Sequence, residues 1–292
     1  MPVILWTYPR TVSTAFERSI YMLKDQLEVK HEPLSISYYF SADRRTKISG
    51  YTALPVDLSA PTYDEQYTSL VSKIQSGKKL FVKDMAYYCG ATYQQQREML
   101  DMLESKRQEP TGCKDEIIHT FLIRNPTKSI KSLFKKQNEF DIYEGQTHEE
   151  EIGILELQHL FHIVTKERGQ KAIVVDADDL ISNPEAIMRQ YCDLSSLTFD
   201  PKMLDWEDED FPKEWNIWGA WHDAAKSGTT FSKDAPVTYT ITQDNEKKHL
   251  VTTEKTISTV NNDSHQVVSN MDSIQEAYDL MYDVRLRIPI AV

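Results

Sequence analysis

Five short apolar runs, each followed by a stretch with the apolar spacing of a helix or by a turn residue, constrain this chain more than any other feature. "VILWTY" precedes a segment that puts Phe16, Ile20 and Leu23 on one face, and "LEVKHEP" ends at Pro33. "KKLFVKDM" leads to a predicted helix from Thr92 to Glu104 carrying Met99, Leu100 and Leu103. "EIIHTFLIRNP" precedes a helix opening at Thr127, directly after Pro126. "KAIVVDADDL" precedes a helix with Asn183 as cap and Pro184 in its first position. Runs this apolar suit strands buried on both faces, and their alternation with helices predicts an α/β fold: a central parallel sheet flanked by helices. Ligands of such sheets bind beyond the carboxyl ends of the strands.

Glu149 to Arg168 reads as a longer amphipathic helix stopped by Gly169. After about Asp205 the character changes to an acidic, tryptophan-rich segment. Alternating threonine-rich pieces from Val237 to Val260 suggest a hairpin, and Ser273 to Arg287 a last helix. The expected organisation is one domain over 1–292, with an α/β core in 1–204 and an irregular carboxyl-terminal extension in 205–292.

The formal net charge of -12 argues against a general nucleic-acid or membrane-surface binder. No stretch approaches the ~18 apolar residues of a membrane span. "MPVILWTYPR" lacks the length and basic flank of a signal peptide and reads as a core strand. Cys89, Cys113 and Cys192 are odd in number and widely spaced, which fits reduced thiols in a cytoplasmic protein and offers no metal-type pairing.

An acidic body that held an anion would need a local cationic site. Two strand-to-helix junctions look built for one. In the first, Tyr8-Pro9 is followed by Arg10, Thr11, Val12, Ser13 and Thr14, where a helix begins. A helix start directs N–H groups and the positive end of its dipole at whatever sits above it. Arg10 adds a permanent cation, and the hydroxyls add donors. The G-x-x-x-x-G-K-[ST] loop of nucleotide hydrolases is absent, so a magnesium–ATP site has no support here. An ordinary capped helix start explains the first junction equally well. In the second, Arg124 ends a strand, Asn125-Pro126 turns, and Ser129 and Ser132 follow on a helix. A capped helix with a basic outer face explains it alone, but not the pairing of two such junctions.

Together the two motifs resemble the sulfotransferases that use 3′-phosphoadenosine-5′-phosphosulfate (PAPS). Tyr8-Pro9-Arg10-Thr11-Val12-Ser13-Thr14 is similar to the loop that holds the 5′-phosphosulfate in that family. Arg124 and Ser132 match the arginine and serine that hold its 3′-phosphate. "LFVKDM" places Lys83 where the family has a strand-ending lysine near the sulfuryl group. "VVDADDLISNPEAIMRQYCDL" and "WHDAAKSGTTF" look like further family segments, the latter closest to divergent microbial members. The resemblance covers roughly Val3 to Leu204. It implies a P-loop-type three-layer fold, PAPS as co-substrate, a small-molecule hydroxyl as acceptor, and no metal. Arg10 stands where many members have lysine. Met85 stands where cytosolic members carry the histidine base, and the basic-glycine motif near the carboxyl terminus is not recognisable.

Sulfuryl transfer needs a group to take the acceptor proton. His31 and Glu32, at the end of the second predicted strand, are the first candidates, then Asp84 and His222. Tyr38, Tyr39, Phe40, Tyr87 and Tyr88 follow strand ends and would either wall an acceptor pocket or belong to the core. The leading expectation is a sulfotransferase acting on a small hydroxylated metabolite, sulfation being the end or an activation for elimination or cyclisation. A non-catalytic nucleotide-binding or scaffold protein on the same fold is the alternative.

Overall fold

The structure is a computed structural model that describes residues 2–76, 79–108, 116–146, 148–206, 211–231 and 264–287. The proposed hairpin of Val237–Val260 and the acidic run Glu207–Asp210 lie outside the described residues.

Five strands, β1 (Val3–Thr7), β2 (Glu28–His31), β3 (Leu80–Met85), β4 (Ile118–Ile123) and β5 (Ala172–Asp176), form one sheet in the order β2-β3-β1-β4-β5. Every pairing is parallel, with Leu5 aligned to Lys83 on one side and Thr120 on the other. The helices are α1 (Ser13–Tyr21), α2 (Pro33–Tyr39), α3 (Ser49–Ala53), α4 (Tyr63–Gln75), α5 (Tyr93–Gln108), α6 (Pro126–Gln137), α7 (Ile154–His162), α8 (Ala177–Ser182), α9 (Pro184–Ser195), α10 (Asp223–Ser227) and α11 (Ser264–Tyr282).

The pleat sorts each strand between two cores. Ile4, Trp6, Val82, Phe121 and Val174 face one, with Leu70, Leu100, Leu133, Leu157 and Met281 from α4, α5, α6, α7 and α11. Val3, Leu5, Phe81, Leu122 and Val175 face the other, with Phe16 and Ile20 of α1 and Ile187 and Tyr191 of α9. Burial on both faces is why β1, β3, β4 and β5 read as largely apolar runs, whereas the edge strand β2 is half-buried and carries Glu28 and Lys30. The chain leaves β1 toward β2 on one side and leaves β4 toward β5 on the other, so a crevice opens between the carboxyl ends of β1 and β4. Both predicted junctions stand at that crevice.

Several expected boundaries move. The long helix of Glu149 to Arg168 is broken: a tight turn covers Glu149–Glu151, Gly153 takes φ +71°, α7 follows, and a wide turn covers Ile163–Glu167. The fifth strand stops at Asp176 because that side chain accepts from the N–H groups of Asp178 and Asp179 and starts α8. Asn183 precedes α9 but its side chain makes no capping bond. The last helix starts at Ser264 and ends at Tyr282, nine residues and five residues earlier than expected. The sequence reading passed over α2 and α4. The capping box of Thr62 and Glu65 was a visible signal for α4.

Candidate active site

The loop after β1 is folded by its own side chains. Thr11 is fully buried, with its Oγ1 2.6 Å from Thr7 Oγ1 and donating to the Tyr8 carbonyl at 3.0 Å. Arg10 and Val12 both take positive φ, 67° and 61°, so backbone strain is held in place by this bracing. Thr11 therefore shapes the loop and does not face the cleft, whereas Val12, Ser13 and Thr14 do.

The two junctions meet. Tyr8 donates its hydroxyl to the Arg124 carbonyl and accepts from the Arg124 N–H at 2.8 Å, joining β1 to the end of β4. Arg124 Nη1 donates to the Arg10 carbonyl at 2.8 Å. Arg10 Nε donates to Ser132 Oγ at 2.9 Å, across 122 positions of sequence. Neither guanidinium has a carboxylate in salt-bridge range among the described residues, and Arg124 Nε is buried without a hydrogen-bond partner. Burial, and then the neighbouring Arg124 charge, make Arg10 a weaker base than usual. Two adjacent cations and an orphan donor at a helix start are what a phosphate or sulfate would satisfy.

Behind the cleft, β2 and β3 end side by side. Lys83 Nζ, fully buried, pairs with Glu32 Oε1, and Tyr88 donates to Glu32 Oε2 at 3.2 Å. His31 Nδ1 lies 2.7 Å from Glu17 Oε2, and its Nε2 stands 3.8 Å from Glu32 with no hydrogen-bond partner. His222 brings its ring to 4.8 Å from that of His31, edge to face, and its Nδ1 lies 3.3 Å from Thr14 Oγ1. Burial opposes ionisation of Glu32, but Lys83 and then His31 prevail and pull its carboxyl down to about 2. Burial and the nearby His31 push His222 down to about 2, so its imidazole is neutral. Ligand atoms of His31, Glu32 and His222 lie within 4.8 Å of one another, a grouping that sequence spacing hid; Lys83 already supplies positive charge to Glu32. Asp84, a second-choice base, instead accepts from the N–H groups of Leu34 and Met85 and fixes the start of α2. Burial, and then Glu32, push its carboxyl well up.

The cleft of 440 Å³ is lined by Arg10, Ser13, Thr14, Glu32, Arg124 and His222, among others, and lies in the range of about 300–1,000 Å³ typical of small-molecule sites. Lys83, His31 and Ser132 stand behind that lining. Of the five aromatic residues flagged in the sequence, Tyr39, Tyr87 and Tyr88 are core and wall at once. Tyr38 is buried in the core, and Phe40 stacks on Trp218. Trp206 and residues of 218–231 close the other side. Arg18, 2% exposed, holds that segment by donating to the carbonyls of Ala225 and Lys226 at 2.5 and 2.7 Å. Sequence reasoning missed Arg18, Glu17 and Glu151. The only signal for Glu17 and Arg18 was charge on the inward face of a helix.

Two curated Arabidopsis thaliana proteins, branched-chain-amino-acid aminotransferase-like proteins 2 and 1, are 28% and 26% identical over 233 and 234 residues. Those stretches cover 78% of this chain but 35% and 36% of the relatives, so the chain spans about a third of their length. A sulfotransferase domain from the curacin biosynthetic pathway is 14% identical, with a TM-score of 0.43, over 90% of this chain and 98% of that one. The sulfotransferase domain of the Synechococcus PCC 7002 olefin synthase is 15% identical, with a TM-score of 0.38, over 78% and 88%. The sulfotransferase domain family matches residues 1–252, well over half of the 292. By that match the chain belongs to the sulfotransferase domain family.

Proposed function

We propose that the protein transfers a sulfuryl group from PAPS to a hydroxyl of a small molecule. The observation that carries this reading is the junction of Arg10, Arg124 and Ser132, where two helix starts meet: two cations, neither with a carboxylate in salt-bridge range among the described residues. Arg124, Arg10 and Ser132 would hold the 3′-phosphate end, and the N–H groups and hydroxyls of Ser13 and Thr14 the 5′ end. Arg10 reaches Ser132, so in this reading it serves the 3′ end more than the lysine it replaces does in the family. A core that takes in Ile274, Ala277, Tyr278 and Met281 of α11 supports treating 1–292 as one sulfotransferase-like domain, with a core that reaches past the expected boundary at 204.

PAPS supplies a sulfuryl group on a good leaving phosphate. The acceptor oxygen bonds to sulfur as the bond from sulfur to the phosphate oxygen breaks, and the acceptor proton passes to the protein. Glu32, ionised and facing the cleft, takes that proton. Lys83 and Tyr88 hold the Glu32 carboxylate in position, and His31, tethered by Glu17, stands beside it at 3.8 Å. Preorganised donors at the loop stabilise the charge that grows on the leaving oxygens. A cytoplasmic location and a small-molecule acceptor belong to the same proposal. Met85 in place of a histidine base and the closed Lys83–Glu32 pair favour a second reading, a nucleotide-binding protein without turnover.

Incubation with sulfur-labelled PAPS and a metabolite extract separates the two. Labelled product that Glu32→Gln abolishes supports transfer. Tight binding of adenosine 3′,5′-bisphosphate with no labelled product supports the second reading.

A further inference from the structure

Two buried carboxylates face the cleft, and they differ in one respect. Glu32 has Lys83 as countercharge. Glu151, 1% exposed, accepts from Tyr39, from Tyr143 at 2.9 Å and from Gln137 Nε2 at 2.9 Å, all neutral donors, and has no cation in salt-bridge range among the described residues. Three donors favour its ionised form, while burial opposes it and on balance raises the carboxyl. A buried anion without a countercharge is costly.

The walls around Glu151 are aromatic. Tyr39 lies 4.3 Å from Tyr51 and 5.5 Å from Trp218, ring centre to ring centre; Tyr51 lies 6.3 Å from Tyr143, and Tyr143 6.2 Å from Trp221. Phe40 and Phe140 stack behind the two tryptophans at 6.1 and 5.2 Å and fix their planes. Tyr39, Tyr51, Tyr143, Trp218, Trp221 and Glu151 line the same cleft as Glu32. Tyr39 also approaches Tyr87, hydroxyl to hydroxyl, at 3.2 Å, and the Tyr87 and Tyr88 rings lie 4.6 Å apart, so a row of tyrosines runs from Glu151 to Glu32. Aromatic faces around one anion form a site for an organic cation, which gains from both the ring quadrupoles and the carboxylate.

We propose that the Glu151 end of the cleft binds an ammonium group, and hence that the acceptor is a hydroxylated ammonium compound or amino alcohol whose hydroxyl points toward Glu32. The assignment of the cation as acceptor rests on the sulfuryl-transfer reading; the cation site itself does not. The cleft is then bipolar, with paired arginines for the anionic donor at one end and a caged carboxylate for the cationic acceptor at the other.

Calorimetry on the full chain, free and with adenosine 3′,5′-bisphosphate, tests this with two probe pairs. Choline is compared with its uncharged isostere, in which carbon replaces nitrogen, and tyramine with ethylphenol. At least one cation is expected to bind tenfold or more tighter than its neutral partner. Glu151→Gln is expected to erase that preference, and Trp218→Leu, at a less buried position, to reduce it severalfold with thermal unfolding unchanged. Equal affinities within both pairs, no binding by either cation, or a preference that survives Glu151→Gln overturns the proposal. Failure of the bisphosphate to bind while the cation preference persists sinks the sulfuryl-transfer reading and leaves the cation site standing.

Discussion

Arg124 donates a guanidinium N–H to the carbonyl oxygen of Arg10 at 2.8 Å, which locks the end of β4 to the loop after β1. The bond sets the two arginine side chains side by side, with no carboxylate among the described residues in salt-bridge range of either, and the cost of that repulsion points to an anion.

Arg124→Ala is expected to weaken binding of adenosine 3′,5′-bisphosphate by about 2–4 kcal/mol, because a buried phosphate loses a charged partner. Calorimetric titration checks it. Arg124→Lys should fall between, since lysine lacks the planar fork that reaches both the ligand and the Arg10 carbonyl.

The Tyr8 hydroxyl both donates to and accepts from the backbone of Arg124. Tyr8→Phe strands a partly buried N–H and C=O and should cost ~1–3 kcal/mol in urea unfolding. Nucleotide affinity should fall as well, although the phenyl ring touches no ligand in the proposed mode.

Glu32 and Lys83 form a buried pair, and removing one partner is the damaging change. Glu32→Gln is expected to cost about 3–5 kcal/mol, and Glu32→Gln with Lys83→Met to recover most of it. The pH dependence has a defined sign. The Glu32 carboxyl is lowered in the fold to about 2, against ~4.3 for a free glutamate, so its contribution is complete above that pH and is lost as pH falls toward 2. Asp84, raised in the fold, runs the other way: its contribution is present at low pH and is lost as pH rises through its folded value. Acid unfolding of the wild type against the double variant isolates the Glu32 part, and the difference between them should shrink below pH ~4.

Gly153 has φ +71°, and a Cβ there would stand 2.9 Å from Tyr87 Cδ1 and 3.1 Å from Tyr8 Cβ. Gly153→Ala should cost more than the roughly 1–2 kcal/mol of a left-handed alanine, because both tyrosines must also shift. Thermal unfolding measures the cost, and reduced nucleotide affinity would report the shift at Tyr8.

The sheet was legible because parallel strands buried on both faces leave apolar runs, and both arginine-bearing junctions were legible because the chain writes each one contiguously. Gly153 was read past because a single glycine inside an amphipathic pattern does not announce a break. The roles of Glu17, Arg18 and Glu151 were invisible for another reason: their partners are His31, Ala225 and Tyr39, at separations of 14, 207 and 112 positions. From the sequence Thr11 looks like a ligand donor, because a hydroxyl in a loop carries no mark of direction. Only the fold shows that it turns inward to Thr7.

The central claim is that two junctions clasp opposite ends of one doubly phosphorylated adenosine. Calorimetric titration with adenosine 3′,5′-bisphosphate and with adenosine 5′-monophosphate, each with and without magnesium, tests it most directly. The account predicts that the bisphosphate binds at least about a hundredfold tighter, as the loss of a charged hydrogen-bonded phosphate implies, and that magnesium changes neither affinity. Equal affinities for the two nucleotides, or binding that requires magnesium, would contradict it.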